Sequence, residues 1–247
     1  MKRIWKMLSL ILVFVLVLTP VAPASAAVIS TKDTDLTGYT VILHTNDIHG
    51  RAVPDSYSGT MGYTAVSALK KATEAAGAQV ILLDAGDALH GLPFATVSKG
   101  ESIVDLMNLV GYDAMTPGNH DFNYGSSRLA ELSQRMRFPL LSSNVTVKAT
   151  GQNFLQTHTI ITKNGVNYGI FGVSTPETEY KTNPKNVEIL GFKNPIEAAK
   201  LEVANLKASG ADVIIALSHL GTDKSSEFTS ERLAKEVGGI NLIVDGH

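Results

Sequence analysis

Short, β-branched-rich apolar runs recur along the chain at residues 41–43, 80–83, 213–217 and 242–244. This is the pattern of strands buried on both faces, and it predicts core strands of one sheet system. Between them, residues 63–76, 102–110, 126–136 and 195–208 carry apolar side chains at three-to-four spacing, which predicts four helices. Two more runs, 157–162 and 166–173, flank Asn164-Gly165, a hairpin signal. Strand and helix alternate at βαβ spacing, so the expected fold is a mixed α/β layered structure with an antiparallel insertion.

The amino terminus breaks this pattern. Lys2, Arg3 and Lys6 precede an apolar stretch at residues 7–18, Pro20 stops it, and Ala24-Ser25-Ala26 supplies small residues for cleavage. The stretch is shorter than the roughly 20 residues of a membrane span, so residues 1–26 read as a secretory signal removed near Ala27. A linker at 27–38, polar from Thr31 on, leads into a domain from Tyr39 to the last residue. Without the three signal charges, Lys+Arg falls from 21 to 18 against 23 Asp+Glu, leaving about −5. No basic patch suggests a grip on nucleic acid. Cysteine is absent, so in an exported protein the core, and metals where they bind, must hold the fold without disulfides.

Candidate chemistry falls where the apolar runs end. Asp47-Ile48-His49 follows the first run and Gly86-Asp87 the second; Gly118-Asn119-His120-Asp121 comes after residues 112–115; Ser218-His219 and Asp245-Gly246-His247 close the last two. Open α/β sheets place their sites beyond strand ends, so these residues should gather along one edge. Asp47 and His49, two apart on an extended backbone, would leave the same side and suit one metal. Gly86 lets the chain turn sharply, and the two oxygens of Asp87 can bridge two cations. Asp84 is read as a strand-end acid that satisfies backbone donors. The Asn119 amide oxygen is a neutral, hard ligand for a second site, and His120 can face the substrate as proton donor or oxyanion stabiliser. His219 and His247 repeat the strand-end geometry. Such donors suit Zn, Mn and Fe alike. The expected class is a metal-dependent hydrolase.

The order Asp-x-His, Gly-Asp, Gly-Asn-His-Asp, Ser-His, Gly-His resembles the calcineurin-like metallophosphoesterases. Residues 43–50, 84–87 and 111–125 are similar to their exported branch, the bacterial 5'-nucleotidases and 2',3'-cyclic-nucleotide phosphodiesterases. The resemblance implies a layered αββα sandwich with mixed β-sheets, incomplete at its carboxy-terminal end. It implies two divalent metal ions, Zn, Mn or similar: Asp47 and His49 on the first, Asp87 bridging, and Asn119, His219 and His247 on the second, with His120 acting on the phosphate. The implied protein is secreted and hydrolyses small nucleotide phosphate esters by metal-activated water. It has no nucleic-acid polymer as partner and no membrane span after signal cleavage.

Two departures qualify the resemblance. Asn123 stands where 5'-nucleotidases of this branch commonly have an Asp paired to the catalytic histidine. Relatives acting on 2',3'-cyclic or 3'-nucleotides often show Asn, which makes that substrate class the alternative. Asp121, as the immediate neighbour of His120, would point elsewhere. The family pattern also continues past Gly-His with a further first-metal ligand and a carboxy-terminal nucleotide-binding domain. This chain is therefore expected to be a partial catalytic domain, with an inactive metal-binding fragment as a further alternative. Of the remaining histidines, His44 and His158 read as structural, and His90 as a partner that orients a metal-bound group. Tyr63, Phe122 and Tyr124 read as packing near the site rather than as base-stacking groups.

Overall fold

The computed structural model describes residues 34–247. The predicted signal at 1–26 and most of the predicted linker lie outside the described residues. The chain runs β1 (Thr40–Thr45), α1 (Gly62–Ala75), β2 (Gln79–Asp84), α2 (Pro93–Thr96), α3 (Glu101–Val110) and β3 (Ala114–Met115). A 3₁₀ turn at Asn119–Phe122 leads to α4 (Ser126–Arg135), β4 (Val145–Val147), β5 (His158–Lys163), β6 (Val166–Ser174) and α5 (Thr178–Lys181). After another 3₁₀ turn come β7 (Leu190–Phe192), α6 (Pro195–Ala208), β8 (Val213–His219), α7 (Ser230–Glu236) and β9 (Leu242–Asp245).

The four apolar runs do not share one sheet, contrary to the expectation. β1, β2 and β3 form a parallel sheet in that order, while β5, β6, β8 and β9 form a mixed one, antiparallel between β5 and β6 and parallel from β6 to β9. Side-chain alternation along the strands explains why two sheets form. Val80 and Leu82 of β2 turn toward α1, α3 and α4, while Ile81 and Leu83 turn the other way. They meet Ile170 of β6, Ile215 and Leu217 of β8 and Val244 of β9. On the far side, Phe171, Val173, Ile214 and Ala216 pack against α6 and α7. The layers are thus helix, sheet, sheet, helix, with the Ile81 to Val244 cluster as the seam. Each fully buried Leu or Ile there contributes about 1.5–3 kcal/mol relative to exposure.

β1 is a half-buried edge strand rather than one buried on both faces. Its pattern misleads because its apolar residues have a partner strand on one side only, and His44 points outward. The predicted helices stand within a residue of their expected bounds. α6 matches at both ends because the Asn194 side chain accepts Ile196 N–H at 2.8 Å and Pro195 opens the first turn. Asn164 and Gly165 turn the β5–β6 hairpin with φ of 50° and 76°. α2, α5, α7 and the β4–β7 pair escaped the sequence reading because such short elements complete too few periods to be seen.

Candidate metal centre

The functional motifs all lie beyond or at the carboxy-terminal ends of parallel strands. Asp47 follows β1, Asp87 follows β2, Asn119 follows β3, His219 ends β8 and His247 follows β9. Because two sheets face each other, their strand ends bring ligands together from both sides of the seam. Asp87, His219 and His247 offer ligand atoms within 4.8 Å of one another, and so do Asp47, His49 and Asp87. Asp87 belongs to both groups. Its Oδ2 lies 3.8 Å from His49 Nε2 and 3.3 Å from His219 Nε2, and its Oδ1 accepts the His120 backbone N–H at 2.7 Å.

The backbone is bent to make this possible. Asp47, His49, Asp87 and His247 all have positive φ, 51°, 48°, 58° and 97°, a region that costs non-glycine residues conformational energy. This corrects the expectation of an extended backbone at Asp47-Ile48-His49. Two left-handed residues, rather than strand alternation, turn both side chains to one place. Ladder bonds hold the bend: Asp47 N–H donates to Gly86 O at 2.9 Å and His49 N–H to Asp87 O at 2.8 Å.

Two glycines let the loops close on the carboxylate. A Cβ on Gly118 would stand 2.2 Å from Asp87 Oδ1 and 2.6 Å from His219 Nε2. A Cβ on Gly86, whose φ is 95°, would stand 2.5 Å from Gly118 N. No other residue fits at either position.

The donor set suits divalent cations. Asn119 Oδ1 is buried without a hydrogen-bond partner, and the buried His219 Nε2 meets only the Asp87 carboxylate; a buried polar atom left so is costly unless something else satisfies it. His219 Nδ1 donates to Ala85 O at 2.6 Å, which orients the ring so that Nε2 faces Asp87 Oδ2 at 3.3 Å. Burial alone would push Asp87 up and His219 down. Their contact reverses both, lowering Asp87 and raising His219 to about 9. His247 donates its backbone N–H to Asp47 Oδ2 at 3.1 Å, and its Nε2 lies 2.7 Å from Lys181 Nζ.

His120 stands at the rim, its ring edge-on to His49 with centroids 5.2 Å apart. Its Nδ1 is 2.9 Å from Asn123 Nδ2, and Asn123 Oδ1 accepts the Thr182 hydroxyl at 2.7 Å. Asn123 thus occupies the partner position at His120, and Asp121 does not. Asp121 is buried beneath the loops, where it accepts backbone N–H groups from Asp87, Leu89 and Gly118, each at 2.8 Å. Asp84 is fully buried and accepts Gly86 N–H at 3.0 Å and the Thr45 hydroxyl at 2.6 Å, in line with its structural reading. His90 stacks on His120 and contacts Asn123 Nδ2 at 3.1 Å. His158 of β5 pairs with the buried Glu202 of α6. Phe122 and Tyr63 are core residues, and Tyr124 packs on His90.

Sequence reasoning missed Arg51, Lys181, Thr182 and the clamp role of Asp121. None of the first three belongs to a motif, and only Arg51 is close in sequence to one, next to Gly50 after His49.

Residues 40–247 match the calcineurin-like phosphoesterase family. The chain is 34% identical over 227 residues to a 5'-nucleotidase of Vibrio cholerae, covering 87% of this chain and 41% of that protein. Among solved structures it is similar to the calcineurin-like phosphoesterase YfkN of Bacillus subtilis, with TM-score 0.72 and 31% identity over 83% of this chain and 71% of that one. A 5'-nucleotidase precursor of Thermus thermophilus gives TM-score 0.72 and 30% identity, covering 83% and 41%. The chain therefore spans about two fifths of the length of the curated relatives it matches. Among the described residues no helix is long and apolar enough to cross a membrane. On the match over residues 40–247, the chain belongs to the calcineurin-like phosphoesterase family.

Proposed function

We propose that this chain carries the catalytic centre of an exported phosphoesterase that uses two divalent cations to hydrolyse nucleotide phosphate esters. The observation that carries this reading is the Asp87 carboxylate, shared by two groups of ligand atoms, Asp47 with His49 and His219 with His247; the buried Asn119 Oδ1, which has no hydrogen-bond partner, is a further free ligand atom on the next motif. Asp47 and His49 would hold one cation, Asn119, His219 and His247 the other, and Asp87 both. Cations so held lower the pKa of water and neutralise the oxygens of a phosphoryl group. The chain's own residues do the rest. Asp121 fixes the loops that carry Asp87 and Gly118, and Asn123 holds His120 by Nδ1 so that Nε2 is free to donate to a phosphoryl or leaving-group oxygen. Export rests on the Lys2 to Ala26 signal pattern and on the likeness to bacterial nucleotidases.

The Asn123 contact favours a second reading for the substrate. A neutral amide beside His120 cannot stabilise an imidazolium as a carboxylate would, and the resemblance to 2',3'-cyclic-nucleotide phosphodiesterases and 3'-nucleotidases, which often show Asn at this position, weighs toward 2',3'-cyclic or 3'-nucleotides. The test is phosphate release from 5'-AMP against monophosphate formation from 2',3'-cyclic AMP by the manganese-loaded chain, with and without chelator. Chelator-sensitive turnover of either is expected, with a loss of about 10²–10⁴-fold in His120→Ala. Metal binding without turnover of any phosphate ester would replace the enzyme with a metal-binding fragment.

A further inference from the structure

We propose that Lys181 and Glu177, at the two ends of the α5 turn, act in opposite directions on His247. Lys181 latches the ring of the metal-free chain in a form closed to a cation, and Glu177 is the acceptor that holds the ring once the latch is released. The inference rests on the reading of His247 as a cation ligand and adds to it a control on loading.

The three side chains meet at one nitrogen. Lys181 Nζ lies 2.7 Å from His247 Nε2 and 2.7 Å from Glu177 Oε2, and Glu177 Oε2 lies 3.4 Å from the same Nε2. An ammonium group has donors and no acceptor, so His247 accepts at Nε2 and carries its own proton on Nδ1. Both ring nitrogens are then closed, Nε2 by the lysine and Nδ1 by its proton. With Nε2 as the ligand atom, the lone pair that Lys181 uses is needed elsewhere. With Nδ1 as the ligand atom, the ring proton moves to Nε2, where it opposes the Lys181 donors and finds its acceptor in Glu177. In either case Lys181 must let go.

Among the described residues the one ion pair of Lys181 is with Glu177, and it makes none with Asp47 or Asp87. The lysine therefore stands outside the ligand cluster, and the nitrogen it holds faces α5. This favours Nδ1 as the ligand atom and gives Glu177 the place of the carboxylate that orients a ligating imidazole and raises its basicity. The two side chains differ in freedom: Lys181 is 37% exposed and Glu177 13%. Lys181 can swing toward solvent and keep Glu177 as its partner. The backbones around them are fixed. The buried Thr178 donates its hydroxyl to Thr175 O at 2.7 Å, Lys181 N–H donates to Glu177 O at 2.7 Å, and His247 N–H is held by Asp47 Oδ2. Release thus needs only a lysine side chain and a ring to move.

The test reads metal affinity and metal-free stability together. Manganese binding is measured by calorimetry, and the melting temperature in chelator, for the unmodified chain and for Lys181→Met. A latched fraction lowers apparent affinity in proportion, so Lys181→Met is expected to bind manganese at least threefold more tightly while its melting temperature in chelator falls. A lysine with a merely structural role would not move these two readings in opposite directions. Glu177→Gln is then added to Lys181→Met, so that no lysine remains to respond, and is expected to weaken binding about 10–100-fold against Lys181→Met alone. Binding by Lys181→Met that is no tighter than that of the unmodified chain overturns the latch. Equal binding with and without Glu177→Gln overturns the acceptor role. Either result leaves the cation centre standing, whereas an unmodified chain that binds no manganese brings down that reading and this inference with it.

Discussion

The Asp121 carboxylate accepts the backbone N–H of Asp87 at 2.8 Å, so a residue from the Gly-Asn-His-Asp motif holds the loop of the Gly-Asp motif in place. The same oxygen takes the Gly118 N–H, and the other oxygen takes that of Leu89. Two loops that carry candidate metal ligands and are far apart in sequence are thus tied by one buried acid. In Asp121→Asn a single oxygen remains, and at least one backbone N–H then faces an NH₂ group. The expected loss is about 1–3 kcal/mol of unfolding free energy in urea, together with weaker metal binding. Unchanged stability would mean that the loops hold each other without this acid.

Gly118→Ala tests the steric cradle. Gly118 has an ordinary extended backbone, φ −85° and ψ 177°, so the substitution carries no conformational strain and acts only through its Cβ against Asp87 and His219. The metal-induced rise in melting temperature is expected to disappear, with a smaller change in the melting temperature measured in chelator. A full metal response in the variant would show that the three motifs have room to spare.

Asp84 gives a pH dependence with a definite sign. Burial, the largest cause, raises its carboxyl to about 8, against an unfolded value near 3.9. Between these limits the folded chain holds a proton that the unfolded chain has released. Stability therefore falls as pH rises from about 4 to about 8, by an amount on the order of a few kcal/mol. Asp84→Asn keeps a neutral side chain that can meet the Thr45 hydroxyl, and its stability should be flatter over this range. Urea unfolding in chelator at pH 5 and pH 8 checks this; parallel losses in the two proteins would show Asp84 ionised in the fold.

Asn119→Ala removes Asn119 Oδ1, a buried atom that lacks a hydrogen-bond partner. Deleting an acceptor that has no hydrogen bond to lose should leave metal-free stability within about 1 kcal/mol and weaken metal binding at least tenfold. Calorimetry with manganese reads the second effect. A large loss of stability in chelator would instead assign Asn119 a structural role.

Much of this arrangement was legible in the sequence, for physical reasons. β2 and β8 end in a ligand-bearing turn, and a long apolar run followed by Gly-Asp or Ser-His marks that junction directly. α6 carried its own cap and proline. The two-sheet division was not legible, because an apolar run specifies burial and not which neighbour supplies it: residues 80–83 and 213–217 look alike yet lie on opposite sides of the seam. The left-handed backbone at Asp47 and His49 was hidden because neither is glycine, the residue that most often announces it. Asp121 looked like a failed partner for His120, since its real partners are backbone N–H groups that no side-chain pattern records.

The central claim, that Asp87 joins two cation sites at the meeting of two sheets, is tested most directly by metal stoichiometry. Metal-free chain is dialysed against buffered manganese, and bound metal is measured by elemental analysis beside Asp87→Asn. About two equivalents in the unmodified chain and loss of both tightly bound ions in the variant are expected, because the lost carboxylate serves both ligand groups. An unmodified chain that binds no manganese, or a variant that binds as much as its parent, would contradict the account.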